Sequence, residues 1–300
     1  MKKKYLVIFA MAALICVLAS CQGVANDMTV GIMPDVDSIP FAVAKLEGYL
    51  PENIRLELFM SPMDRDAAFY AGELDGTISD TLAACLMREG GYDVNIVSKT
   101  DGSYGVLTAE EIGSPAELEG MEIGMSLSTV IEYVTYRVIS EAGGNPEKAL
   151  QVSVPKIPSR LEMLFAGQIG AIAVPEPYVS SARERGAYVV ASSDEYGINP
   201  GIMLFYKDSI DKKGNELYEL YKAYNKAVDY IHAHKSEEFM PYVIEELGLP
   251  AEAINVKLPV YTKAVPPELS EITSASEWLL SKNMIENTYS YEDLVFEIKR

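Results

Sequence analysis

The chain has 300 residues, 25 basic and 44 acidic, with a formal net charge of −19 at pH 7. So acidic a surface repels nucleic acid and excludes partners read through a phosphate backbone. Three cysteines and two histidines exclude a disulfide scaffold and metal sites built on paired thiolates.

The first segment reads as an export signal. Lys2, Lys3 and Lys4 precede an uncharged run over residues 5–17, too short to span a bilayer and the length of a signal-peptide core. Leu18-Ala19-Ser20-Cys21 follows and resembles the lipobox of bacterial lipoproteins, so residues 1–20 are predicted to be removed and Cys21 to carry lipid. Losing three lysines leaves 22 basic against 44 acidic residues, a net charge of −22. The expected product is exported and held to a bacterial membrane only by that lipid, facing the periplasm or the cell exterior. Cys16 leaves with the signal, and Cys85, inside Leu82-Ala83-Ala84-Cys85-Leu86-Met87, reads as a buried structural thiol.

Beyond a tether at 21–26, short β-rich runs alternate with helical patterns, the signature of parallel α/β construction. Strands are predicted at 28–33, 54–59, 77–79 and 94–98, with helices at 41–47, 65–71 and 81–88 between them. A second series begins after Gly120: strands at 121–125, 150–154, 171–174 and 188–191, with helices at 129–142, 159–166 and 178–185. The chain returns through a strand at 201–206 and ends in helices at 217–233, 237–247 and 268–281. Tyr70-Ala71-Gly72-Glu73-Leu74-Asp75-Gly76 echoes Phe165-Ala166-Gly167-Gln168-Ile169-Gly170-Ala171 ninety-five positions later. Occurring only twice, the unit marks two similar lobes and not a solenoid. Lobe one is predicted over 27–107 plus 200–300 and lobe two over 112–195. The hinges are expected near 105–112 and 194–201, where Gly105, Gly113, Gly197 and Gly201 stand.

Open α/β sheets bind ligands beyond the carboxyl ends of their strands, where helix N-termini offer free N–H groups. Five such corners hold candidate ligand residues: Asp35, Asp37 and Ser38; Ser61 and Met63; Asp80 and Thr81; Ser126, Ser128 and Thr129; and Glu176 between two prolines. Each also reads as an ordinary helix cap. Arg160 stands at a predicted helix start, against the dipole, and could clamp an anion or pair with an acidic neighbour. Tyr104, between Ser103 and Gly105, reads as an exposed ring able to stack on a flat ligand.

Four segments carry a family resemblance: Pro40-Phe41-Ala42-Val43-Ala44-Lys45-Leu46-Glu47-Gly48-Tyr49-Leu50, Ala71-Gly72-Glu73-Leu74-Asp75-Gly76, Leu118-Glu119-Gly120-Met121-Glu122-Ile123-Gly124 and Ala166-Gly167-Gln168-Ile169-Gly170-Ala171. Together they resemble the periplasmic substrate-binding family of sulfonate, taurine, nitrate and thiamine-pyrimidine-precursor receptors, the SsuA/THI5-like group. The resemblance implies the type II periplasmic-binding-protein fold: two α/β lobes, a two-segment hinge and a ligand in the cleft. It also implies a monomer that hands its small-molecule ligand to an ABC permease and its ATPase, with no catalysis and no cofactor. Carried over by position, contacts fall at Asp35 to Ser38, Ser61 to Met63, Asp80-Thr81, Ser126 to Thr129 and Glu176. Gly170 departs from the family, which has aspartate there.

Two rival functions use the same lobes. One is an enzyme of the pyrimidine-synthase or menaquinone-pathway lyase type; the other is a ligand sensor for a membrane partner. The synthase needs a cleft histidine, whereas His232 and His234 sit two apart on a late helix and read as solvated. No phosphate loop or Ser-His-Asp set appears. The acidic corners and Tyr104 point to a nitrogen heteroaromatic such as a pyrimidine, with a sulfonate or other anion next.

Overall fold

Residues 27–297 are described by a computed structural model. The predicted signal, lipidated cysteine and tether lie outside those residues. The strands are β1 (Met28–Ile32), β2 (Ile54–Leu58), β3 (Gly76–Asp80), β4 (Val94–Lys99), β5 (Tyr104–Thr108), β6 (Glu122–Met125), β7 (Leu150–Ser153), β8 (Ala171–Pro175), β9 (Tyr188–Ser192) and β10 (Gly201–Tyr206). The helices are α1 (Ile39–Leu46), α2 (Pro62–Tyr70), α3 (Thr81–Glu89), α4 (Val130–Glu141), α5 (Ile157–Phe165), α6 (Tyr178–Glu184), α7 (Lys207–Lys212), α8 (Gly214–Ala233), α9 (Ser236–Leu247), α10 (Leu269–Ser281) and α11 (Tyr291–Leu294). No described helix is long and apolar enough to cross a membrane.

Two five-stranded mixed sheets form, in the orders β2-β1-β3-β10-β4 and β7-β6-β8-β5-β9. Their layouts are the same. In each, a central strand is flanked by two parallel partners, and an antiparallel strand lies between the third parallel strand and the edge. β1, β3 and β8 are buried along their whole length, and β1 and β8 accordingly read as largely apolar runs without alternation. The two lobes are those of the type II periplasmic-binding fold.

The antiparallel strand of each sheet is the one that enters from the other lobe. β10 follows β9, the edge of the second sheet, and pairs between β3 and β4 of the first. β5 follows β4, the edge of the first sheet, and pairs between β8 and β9 of the second. This corrects the predicted boundaries: residues 104–107 belong to the second sheet, not to lobe one. The first crossing therefore lies at 100–103, upstream of the expected 105–112. Gly105 is strand backbone inside β5, and Gly113 lies beyond it in lobe two. The second crossing covers residues 193–200, and the two crossings bond to each other through Asn199 Nδ2, which donates to Thr100 O at 3.2 Å, while Thr100 N–H donates to Gly201 O at the start of β10 at 2.9 Å.

The end of the chain does more than complete the first lobe. α10 packs on α3 of the first lobe and sets Trp278 edge-on against Tyr133 and Tyr136 of α4, at 5.4 and 6.1 Å between ring centres. Lys282 adds an ion pair with Glu147 of the second lobe. One apolar cluster consequently runs through both lobes. Cys85 lies in it, fully buried, with its thiol pushed up to about 12 by burial.

A cavity between two buried arginines

The strand ends of both lobes meet at a cavity. Lobe one contributes Met33, Asp35, Asp37, Pro62, Arg65 and Asp80. Lobe two contributes Tyr104, Ser126, Thr129, Val130, Ile157 and Arg160. The helices that deliver these groups are capped by the residues the sequence singled out. Ser61 accepts from Asp64 N–H at 3.1 Å, Asp80 from Ala83 N–H at 2.9 Å and Thr129 from Ile131 N–H at 3.2 Å.

The arginines are equivalent. Arg65 and Arg160 stand ninety-five positions apart, each in the second turn-facing position of its helix after a proline. Arg65 donates to Ile78 O at 3.1 Å, and Arg160 donates to Ala173 O at 2.7 Å, again ninety-five positions on. Both side chains are buried. Their charge balance differs. Burial pulls the Arg65 pKa down, but Asp66, ion-paired at 2.8 Å, acts with Asp80 and Asp35 to hold it above its ordinary value. At the matching place after Arg160 stands Leu161. Arg160 is 0% exposed, and burial alone lowers its pKa to about 9. Carbonyl dipoles hold it instead: Nε donates to Val154 O at 2.6 Å and Nη2 to Pro155 O at 3.1 Å and to the Ser126 hydroxyl. Arg160 pairs with no acid among the described residues, and four of its five N–H donors are engaged, three by carbonyls and one by the Ser126 hydroxyl. It frames the cavity wall.

Lobe one brings three carboxyl groups to the same space. Asp35 accepts from Ser38 N–H and hydroxyl at 3.2 and 3.1 Å, yet burial lifts it to about 6. Burial, then the neighbouring Asp35, raises Asp37 well above the usual carboxylate range. Asp80 is raised by burial against the pull of Arg65 and of the Ala83 and Val130 N–H groups, the last reached across the cleft. Asp37 Oδ1 makes no well-formed hydrogen bond, a costly state for a buried carboxyl, although the neighbouring Thr100 hydroxyl pulls the group's pKa down. The side chain is wedged against both crossings. A Cβ built on Gly102 would stand 2.1 Å from Asp37 Oδ2, and one on Gly201 would stand 2.7 Å from Oδ1. Only glycine lets the crossings close over this group.

Tyr104 is not the exposed ring expected from its place between Ser103 and Gly105. It begins β5, is 7% exposed and points its hydroxyl at Asp37 Oδ2, 3.5 Å away. The other predicted residues separate by place. Ser38 and Thr81 are fully buried behind the cavity, and Ser61 is a buried cap. Met63 and Ser128 stand outside, at its mouth. Glu176 faces a wider neighbouring groove, which Tyr104 also lines, beside Val179 and Lys257, with its carboxylate accepting from Ser180 N–H at 3.0 Å. Its backbone oxygen ties the lobes by accepting from Val36 N–H at 3.1 Å. Sequence reading missed Arg65, and the signal was available: the residue repeats at the same ninety-five-position offset as the glycine stops. Gly170 is accommodated because the offset preserves the backbone bond. Gly170 N–H donates to Glu122 O at 3.1 Å as Asp75 N–H donates to Thr29 O at 2.8 Å. Both histidines are exposed on or just beyond α8.

A family model described as NMT1/THI5 like matches residues 35–238, more than half of the chain. The chain belongs to the NMT1/THI5-like family. No curated protein matches it in sequence. Among solved structures, the alkanesulfonate-binding protein SsuA from Xanthomonas axonopodis pv. citri bound to MOPS superposes with a TM-score of 0.79 at 16% identity, covering 92% of this chain and 100% of that one. The periplasmic aliphatic sulphonate binding protein SsuA from Escherichia coli gives 0.76 at 15% identity, covering 92% and 94%. The desulfurization enzyme DSZB gives 0.67 at 13% identity, covering 91% and 96%. At these identities the likeness is one of fold, which this NMT1/THI5-like chain shares with binding proteins and with an enzyme.

The raised carboxyls have a consequence for stability. Burial moves Asp35 from 3.8 to about 6, so between those values the folded chain holds a proton that the unfolded chain has released. The stability tied to this group is complete below the unfolded value and is lost as pH rises through the folded one. Unfolding of wild type and Asp35→Asn by urea at pH 4 and pH 7 is expected to show the wild type alone losing on the order of 2 kcal/mol from this group. Parallel pH dependences in the two proteins would contradict the assignment.

Proposed function

We propose that this protein is an extracytoplasmic solute-binding lipoprotein of an ABC importer, tethered at Cys21, whose lobes close on one small organic solute. The solute is a nitrogen heteroaromatic, a pyrimidine being the representative case. The carrying observation is the lining. Asp35, Asp37 and Asp80 converge from lobe one on a space that also holds Tyr104, while Arg160 directs three of its donors to carbonyls. Buried carboxyl groups, one with an oxygen that lacks a well-formed hydrogen bond, accept or exchange hydrogen bonds with ring and exocyclic N–H groups. A sulfonate brings only acceptors, and it would stand beside three acids. That is why a sulfonate ranks second here, although two similar structures are described as sulfonate-binding proteins. Catalysis has less support: the cavity lining includes no histidine or cysteine to act as base or nucleophile.

A thermal-shift comparison of aminopyrimidines, MOPS and nitrate tests the reading. A ligand at a hundred times its Kd stabilises the native state by about 2.7 kcal/mol. The expected result is a rise in Tm with an aminopyrimidine and none with nitrate. A shift with MOPS alone would overturn the ligand class and leave the binding role intact; measurable turnover of a bound compound would overturn the role.

A further inference from the structure

The cavity has an outer chamber. Pro62, Ser126 and Thr129 line both, so the spaces meet between the start of α2 and the start of α4. The outer space is about 380 Å³ and the inner one about 40 Å³. The inner wall carries three aspartates and two arginines, whereas the outer chamber carries one aspartate, Asp66, with Ser128 and Ser153, and presents Met63, Tyr70 and Leu86 from lobe one opposite Leu127 and Pro155 from lobe two. Met63 is 63% exposed, Tyr70 41% and Leu127 41%. Apolar side chains facing each other across a cleft mouth, left uncovered, mark surface that a partner covers. The loop that presents Leu127 is also held in a costly shape: Ser128 adopts φ +58, with its N–H donating to Glu132 at 2.8 Å.

We infer that this outer chamber is a second subsite of the same ligand site, taking an alkyl or aryl extension of a solute whose polar head lies in the inner cavity. The occupant is an apolar substituent because the chamber continues a polar site outward and offers matched apolar walls from both lobes. Closure then buries the tail as well as the head, and Met63 and Leu127 set the chain length accepted. The inference rests on the reading of the inner cavity as a head-group site, so its test needs an arm that does not depend on the head.

That arm uses n-hexanol alone. In protein carrying methyl-labelled methionine, n-hexanol is expected to shift the Met63 methyl resonance saturably, and Leu127→Ser should abolish the shift. The second arm measures calorimetric binding of aminopyrimidines bearing methyl, butyl and hexyl chains. Affinity should tighten by up to roughly fourfold per buried methylene. Met63→Ser and Leu127→Ser should remove that gain, so that the butyl and hexyl compounds bind no tighter than the methyl one. Both side chains are exposed enough for these variants to fold. A saturable hexanol shift without any pyrimidine binding supports the chamber and sinks the head-group reading. Pyrimidine binding that ignores chain length, or a Met63 methyl indifferent to hexanol, overturns the chamber.

Discussion

Arg160→Met is expected to lower the unfolding free energy by about 3–5 kcal/mol, with a fall in Tm of roughly 10 °C. Methionine fills much of the volume but donates nothing. Ala173 O and the Ser126 hydroxyl would lose a buried partner, and Val154 O and Pro155 O a part-buried one. Each loses a charge-assisted bond, and unpaired buried carbonyls carry the full cost of desolvation. Lysine is no rescue, because its single ammonium cannot reach acceptors that the planar guanidinium spans. Arg65→Met provides the comparison. It too removes a bond to a strand carbonyl, but it also strands Asp66 beside Asp80. If Arg160→Met unfolded within 1 kcal/mol of wild type, roughly the scale of one ordinary hydrogen bond, the carbonyl cradle would not be what holds this lobe.

Gly102→Ala has the second large effect, and it acts on closure. An added methyl would lie 2.1 Å from Asp37 Oδ2, far inside contact distance, so either the carboxyl or the crossing must move. The cost in stability is about 1–3 kcal/mol, as for other overpacked sites. Solute affinity should fall at least tenfold, since the same crossing sets how the lobes meet; that factor is about 1.4 kcal/mol. Removing the obstacle should restore much of both. Asp37→Gly in the Gly102→Ala background is expected to be less damaging than the two single changes added together, a coupling read by a double-mutant cycle. Strict additivity would mean that Asp37 and the first crossing are not in contact in solution. Scattering with and without ligand gives an independent reading, because the open form should persist in Gly102→Ala.

Much of this architecture is written locally. The order of strands and helices, the glycine stops at 72 and 167 and the caps Ser61, Asp80 and Thr129 all depend on residues a few positions apart. Those interactions leave a periodic trace that can be read without the fold. The ninety-five-position echo extended the reading to two lobes, since identical units bury identical faces. Buried Cys85 and the exposed histidines followed from the apolar or polar character of their neighbours in sequence.

Three features were decided only by the tertiary structure, for one reason: each depends on which distant backbone lies alongside. Tyr104-Gly105-Val106-Leu107-Thr108 is a short run between turn residues, and nothing local says that it inserts between β8 and β9 of the other lobe. Once it does, Tyr104 is buried, and the hinge shifts upstream of it. Arg160 has acidic residues nearby in sequence but none in space, and its partners are carbonyls that become acceptors only when a strand end and a loop converge on them. The five predicted corners divided in the same way, with inner wall, outer mouth and neighbouring groove fixed by how the two sheets face each other. Sequence named the groups able to meet a ligand; the meeting of two lobes, a non-local event, determined which of them share a space.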